Sequence, residues 1–243
     1  MTSRTASVRR RITHAATALS LAACAAGVAF ATLSTGSAGA TPSAPVPLFW
    51  SPNGNESLLL PAAQIGSITG TGRLAVTGVS SQFADHSKKV TPTSCVAAYQ
   101  PAERAAYPDA VNVTTVAVDD GGRSSDPTRL VQQSVVGFPD ATTAQKRFDA
   151  VSATWEGCST QPVTVATRSG LPNPWAMGTA PRRDGAVAVV TNIGPGVVCE
   201  RAMSVRDELV ADVMVCALGG GDANGQADAI AAAVGANIAK RTG

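Results

Sequence analysis

Histidine is nearly missing from this chain, with two in 243 residues. His14 lies near the start, so the rest of the chain keeps only His86. No C-x-x-C pair occurs either. A zinc site needs Cys or His ligands in clustered pairs, so no metal and no other cofactor is expected. The G-x-S-x-G nucleophile elbow of many hydrolases is absent. Asp119-Asp120-Gly121-Gly122 lacks the later ligand positions of a calcium loop and reads as a hairpin turn. There is no internal repeat and no long run of like charge. These absences leave one route to catalysis, a hydrolase using His86 as general base. That residue sits in the polar stretch Asp85-His86-Ser87-Lys88-Lys89, with Ser80 and Ser81 nearby in sequence. An exposed loop histidine is the simpler expectation, and the reading carried forward is of a protein that is not an enzyme.

The N-terminus carries an export pattern. Arg4, Arg9, Arg10 and Arg11 open the chain without an acidic residue among them. An Ala-rich apolar run follows over residues 15–33, then small residues and Ala38-Gly39-Ala40 before Thr41-Pro42. A basic segment, an apolar segment and an A-x-A exit form a secretory signal peptide, here residues 1–40. Two alternatives stay open. Leu21-Ala22-Ala23-Cys24 fits the bacterial lipobox, in which acylated Cys24 would tether the protein to the membrane as a lipoprotein. Arg9-Arg10-Arg11 also permits twin-arginine export. Contact with a membrane is expected only through lipidation or an uncleaved signal.

Export changes the charge balance. The whole chain has 19 basic and 17 acidic residues, but four of the basic ones lie in residues 1–40. The mature part therefore carries a net charge of −2. It offers no basic surface for nucleic acid, and no nucleic-acid partner is expected. Residues 41–55, rich in Pro, Ser, Gly and Asn, read as a flexible linker. Residues 56–243 are long enough for one domain with a real core.

Four cysteines remain after Cys24, namely Cys95, Cys158, Cys199 and Cys216. An even number outside the cytoplasm suggests two disulfides, and four cysteines allow three pairings. Residues 197–205 and 209–218 are two β-rich runs. Folding them about Asp207-Glu208 sets 206 against 209 and therefore Cys199 against Cys216, close enough for a disulfide. A four-residue loop with the same centre gives the same pairing. Cys95 and Cys158 are then left for each other. Chain entropy alone assigns the longer loop about 4 kcal/mol and the hairpin loop about 3 kcal/mol. In the same register Arg201 and Asp212 are diagonal neighbours that can form a structural ion pair.

The remaining pattern is mixed. Pro61 suits the first position of a short helix over 61–68, stopped by Gly70 and Gly72. Those glycines fit G-x-G-x-x-A, but the order of strand and helix is reversed for a dinucleotide site. Strands are expected at 74–79, 111–118 and 130–138. Asp140 is an N-cap for a helix over 141–155 that Gly157 ends, with Ala144, Phe148, Val151 and Trp155 on one face. Further strands are expected at 163–167, 175–179 and 186–193. Gly219-Gly220-Gly221 reads as a turn before a last helix over 222–240, whose Ala227, Ile230, Val234 and Ile238 face inward. The fold class is α+β, a single domain with a mainly antiparallel sheet covered by helices and fastened by two disulfides.

Several segments together resemble the PknH-like extracellular sensor domain family, including its stand-alone exported actinobacterial members. They are Ser57-Leu58-Leu59-Leu60 before Pro61-Ala62-Ala63-Gln64, then Cys95, and Val136-Gly137-Phe138-Pro139-Asp140-Ala141 running through Phe148 to Trp155-Glu156-Gly157-Cys158. The last are Cys199-Glu200-Arg201-Ala202 and Val213-Met214-Val215-Cys216-Ala217. The resemblance covers most of residues 57–240. It implies an α+β fold with a groove, cysteines paired first with second and third with fourth, and a sensing or binding role outside the cell. The kinase half is missing, so a free or tethered binding protein of the cell envelope is the nearer expectation. The partner would be a small-molecule or envelope ligand of unnamed chemistry. Trp175, with Arg182 and Arg183 in the turn that follows, is the candidate site for an anionic or sugar-like ligand. A protein-interaction or structural envelope module is the alternative.

Overall fold

The computed structural model describes residues 54–121, 128–167, 169–192 and 196–242. Residues 1–40, Cys24 and the linker up to residue 53 lie outside them. Ten strands form one sheet: β1 (Ala75–Ser80), β2 (Val90–Thr91), β3 (Asn112–Asp119), β4 (Arg129–Gly137), β5 (Val163–Ala166), β6 (Pro172–Met177), β7 (Arg182–Arg183), β8 (Ala186–Asn192), β9 (Val197–Arg206) and β10 (Leu209–Leu218). Their order is β1-β3-β4-β10-β9-β8-β6-β5-β2, with β7 beside β8. Every strand pairing is antiparallel. The helices are α1 (Ala62–Thr69), α2 (Ala141–Cys158) and α3 (Gln226–Thr242), with 3-10 turns at Asn55–Leu58 and Thr93–Ala98. Among the described residues no helix is long and apolar enough to cross a membrane.

The α+β class holds, and the helices cover both faces of the sheet. On one face Phe148, Val151 and Trp155 of α2 pack with Tyr107, Val187, Met203 and Val210. On the other, Ile65 of α1 and Ile230, Val234 and Ile238 of α3 pack with Val131, Val213 and Val215. The central strands β9 and β10 are therefore buried nearly end to end. Strand alternation assigns successive residues to opposite cores.

Local signals explain most boundaries. The Asp140 carboxylate accepts the Thr143 N–H at 2.8 Å and so caps α2. Gly70, at φ 67°, ends α1 in the left-handed region. Three helix boundaries differ from expectation. Pro61 is extended and stands just before α1 rather than inside it. Helix α2 runs through Gly157 to Cys158. Helix α3 begins at Gln226, because Asp222 holds the Asn224 N–H in a turn ahead of it. Strand β6 also starts early, at Pro172. It pairs with β5 from Pro172 to Trp175 and with β8 only at Ala176 and Met177. Pro172 and Pro174 thus lie where one side of the strand has no ladder to complete. The ladder thus passes from β5 to β8 directly after Trp175.

Both expected disulfides are present, Cys95–Cys158 and Cys199–Cys216. The β9–β10 hairpin turns at Asp207-Glu208, with Arg206 opposite Leu209 and Cys199 opposite Cys216. Asp207 adopts φ 49°, the left-handed conformation a tight hairpin turn needs.

The same register places Asp212 opposite Met203 and diagonal to Arg201. These two form a buried, two-pronged pair, with Nε to Oδ1 at 3.0 Å and Nη2 to Oδ2 at 2.7 Å. The third arm of the guanidinium donates to the Ala97 carbonyl at 2.7 Å, and the group lies 4.8 Å from the Trp155 ring centre. Asp212 also accepts from the Tyr107 hydroxyl at 2.7 Å and the Ala102 N–H at 3.1 Å. Burial, and then the Asp212 charge, push the Tyr107 hydroxyl well above its ordinary range. Removing one partner strands the other charge in the core. Asp212→Ala is therefore expected to cost about 3–5 kcal/mol in urea unfolding, whereas a loss below about 1 kcal/mol would show that the pair is not desolvated.

Candidate functional site

The loop over residues 97–107 is held from beneath by that ion pair. Three of its groups, the Ala97 carbonyl, the Ala102 N–H and the Tyr107 hydroxyl, bond to Arg201 or Asp212. Its beginning is fixed by the Cys95–Cys158 disulfide to the end of α2. Ala102 sits at φ 57°, a strained value for alanine that the Asp212 contact and the Ala84 N–H bond to its carbonyl maintain. The turn at Ala102 sends Glu103 inward.

Glu103 is completely buried. Its carboxylate accepts two bonds from His86, from the backbone N–H at 3.0 Å and from ring Nδ1 at 2.5 Å. The His86 side chain is 21% exposed, so it is a fixed lid over a buried carboxylate and not an exposed loop residue. The His86 ring meets Tyr99 edge-on, centre to centre 5.0 Å. Tyr99 in turn packs on Trp175 of β6 at 4.9 Å, with the rings tilted by 44°. Half-burial, and then the nearby Glu103 charge, raise the Tyr99 hydroxyl above its ordinary value. His86, Tyr99 and Trp175 therefore form a continuous aromatic row, each partly open to solvent.

The polar tips of this row have no protein partner among the described residues. Among the described residues no hydrogen bond reaches His86 Nε2, the Tyr99 hydroxyl or the Trp175 indole N–H, and none of these atoms is sealed from solvent. Two of the hydroxyls near His86 in sequence are bonded elsewhere. Ser87 donates to Asp85, and Ser80 donates to the Gln82 carbonyl. No serine, threonine or cysteine side chain is bonded to the His86 ring among the described residues. The arrangement offers stacking surfaces and hydrogen-bonding tips, without a nucleophile beside the histidine. Among those residues no cluster of His, Cys, Asp and Glu could hold a metal ion.

The three binding residues expected from sequence do not converge. Trp175 joins the row. Arg182 and Arg183 are successive residues of β7 and leave on opposite faces. Arg182 donates to Glu156 at 2.6 Å and lies 3.5 Å from Asp149, both on α2. Arg183 donates to Asp228 of α3 at 2.7 Å. It borders a shallow hollow of about 290 Å³ with Thr179, Pro181, Glu200 and Asn224. There Glu200 accepts the Gly225 and Ala227 N–H groups and fills the N-terminus of α3 itself. Burial pushes the Glu200 carboxyl up against those two bonds. The glycine turn at 219–221 therefore leaves no open helix end for an anion. Tyr99 and Glu103 were missed from sequence. The available signal was a lone acidic residue among the small residues of Pro101-Ala102-Glu103-Arg104-Ala105-Ala106.

Residues 52–237 match the model of the PknH-like extracellular domain family. No curated protein matches the chain. Among solved structures it is similar to the extracellular domain of PknH from Mycobacterium tuberculosis, at 22% identity and a TM-score of 0.68. That alignment covers 76% of this chain and 94% of the other, and at this identity it establishes the fold. A putative uncharacterized protein from Mycobacterium smegmatis aligns at 11% identity and a TM-score of 0.35, over 74% of this chain and 95% of that one, too distant to carry an argument.

A lid over a buried carboxylate has a measurable consequence. His86→Ala should destabilise the domain by about 1–3 kcal/mol in chemical denaturation, because Glu103 loses its ring partner. A change within about 0.5 kcal/mol, as for an ordinary surface substitution, would contradict the pairing.

Proposed function

The chain belongs to the PknH-like extracellular domain family, and from that premise we propose that it is a ligand-binding, sensor-type domain of the cell envelope that catalyses no reaction. The observation that carries this reading is the aromatic row His86–Tyr99–Trp175, partly exposed, rigidly backed and tipped with polar atoms that no described residue bonds. Ligand sites combine apolar walls with a few fixed polar groups, and they sit on loops held by a rigid scaffold. The row meets both conditions. Among the described residues the His86–Glu103 pair is the histidine–carboxylate arrangement that could serve a hydrolase, and no hydroxyl or thiol is bonded to it.

The location follows the same premise. The family is one of extracellular domains, and the basic, apolar and A-x-A segments of residues 1–40 support export. The mature protein is then either free after cleavage following Ala40 or tethered by lipid on Cys24. A second reading, a protein-interaction module, has one specific observation behind it. Strand β1 is a sheet edge, and its Val76 and Val79 are 52% and 38% exposed. An open edge with apolar side chains can accept a partner's strand.

Two measurements test these readings. Thermal melts of the processed protein with fractionated envelope extract should show a rise in Tm with one fraction, and Trp175→Ala should abolish it. A rise that survives Trp175→Ala would move the site elsewhere, and no rise with any fraction would favour the edge-strand reading. Intact mass under non-reducing conditions should give either the chain from Thr41 or a diacylated chain from Cys24. Its two disulfides should leave it four hydrogens lighter than the reduced form.

A further inference from the structure

We propose that the aromatic row is a saccharide seat, in which the apolar face of a sugar ring stacks on Trp175 and Tyr99 while its hydroxyls bond to the three polar tips. This deepens the ligand-binding reading above and rests on it. A sugar ring presents C–H bonds on one face and hydroxyls around its rim, each hydroxyl both donor and acceptor. Its complement is an aromatic surface edged with donors and acceptors of mixed kind. The row supplies that mixture. The Trp175 indole N–H only donates, and the Tyr99 hydroxyl donates or accepts. His86 Nδ1 stands 2.5 Å from a Glu103 oxygen, which fixes the ring proton on Nδ1. Nε2 is thereby left as the ring's open polar tip, held in place by a carboxylate that is itself fully buried. An indole donor, a hydroxyl that donates or accepts and an imidazole nitrogen thus follow one another along rings spaced 4.9 and 5.0 Å apart.

Other ligand classes fit the row less well. An anion would meet the Glu103 carboxylate behind His86, while Arg104 is engaged over the Phe83 ring at 3.8 Å. Arg182 and Arg183 are tied to the carboxylates of α2 and α3. A quaternary ammonium group suits aromatic walls. However, it would leave all three polar tips unused, and the nearby carboxylate is already occupied by both His86 donors.

The test uses the processed full chain with its disulfides intact, followed by NMR at the Trp175 indole N–H. The titrants are cellohexaose, maltohexaose and chitohexaose, with choline chloride as the cationic control. At least one oligosaccharide should shift that resonance saturably, and choline should not. Tyr99→Phe keeps the ring and removes the hydroxyl, and it should weaken that binding about threefold to tenfold. Trp175→Ala should weaken it at least about tenfold, as loss of a stacked ring implies. Trp175→Phe serves if the alanine variant does not fold, and should retain part of the affinity as read from line-shape changes of the sugar. No shift with any of the three sugars, a shift with choline instead, or sugar binding indifferent to both substitutions would overturn the proposal. If an envelope lipid fraction acts through Trp175 while the sugars do not, the saccharide assignment fails and the site stands. If nothing acts through Trp175, both fail.

Discussion

Arg201 and Asp212 meet in the interior between the sheet and α2, and the arrangement of that whole face follows from satisfying them. A buried ion pair loses more by leaving water than simple attraction returns, unless nearly every donor and lone pair finds a partner. Here the guanidinium spends its third arm on the Ala97 carbonyl and lies against Trp155. The carboxylate takes the Tyr107 hydroxyl and the Ala102 N–H in addition to the guanidinium. Of those groups, the Ala102 N–H and the Tyr107 hydroxyl belong to residues with no strand or helix of their own, the Ala97 carbonyl to the 3-10 turn before them, and Trp155 to the helix that covers the pair. The electrostatic demand of two residues on a hairpin thus fixes the path of a loop about a hundred positions earlier in the chain.

From that path the candidate site follows. Ala102 is drawn into a left-handed turn toward Asp212, and the next residue, Glu103, is carried into the interior. A buried carboxylate needs donors, and His86 supplies two. Tyr99, at the start of the same loop, is left facing outward between His86 and Trp175. Trp175 stands where β6 leaves its pairing with β5 and takes up β8. The Cys95–Cys158 bridge closes the assembly where the loop leaves its 3-10 turn. The exposed rings are supported by a chain of satisfied polar groups, and that rigidity is what a binding site requires if it is not to lose affinity to its own ordering.

The sequence made some of this legible and not the rest, and the division is physical. The β9–β10 hairpin has strict periodicity about a short turn, so simple counting placed Cys199 against Cys216 and Arg201 diagonal to Asp212. The inward faces of α2 and α3 followed from helical spacing for the same reason. Helix ends were read less well, since Gly157 is tolerated in α2 where the disulfide at Cys158 holds the last turn. Trp175 was recognised as a candidate, but its arginine neighbours were grouped with it because they are close in sequence. Alternation along β7 separates them across the sheet. The His86–Glu103 pair joins two aperiodic segments and the Tyr99–Trp175 contact joins a loop to a strand, 17 and 76 positions apart, and no local pattern announces such contacts.

Amide hydrogen exchange on the unmodified protein tests the central claim most directly, namely that the buried ion pair locks the loop bearing the site to the core of the sheet. The Ala102 N–H, bonded to Asp212, and the His86 N–H, bonded to Glu103, are the reporters. If the loop opens only when the domain unfolds, their opening free energies will match those of the β9–β10 ladder within about 1 kcal/mol. If these two amides exchange through low-energy local opening while the ladder stays protected, the loop is not locked, and the account of the site built on it is wrong.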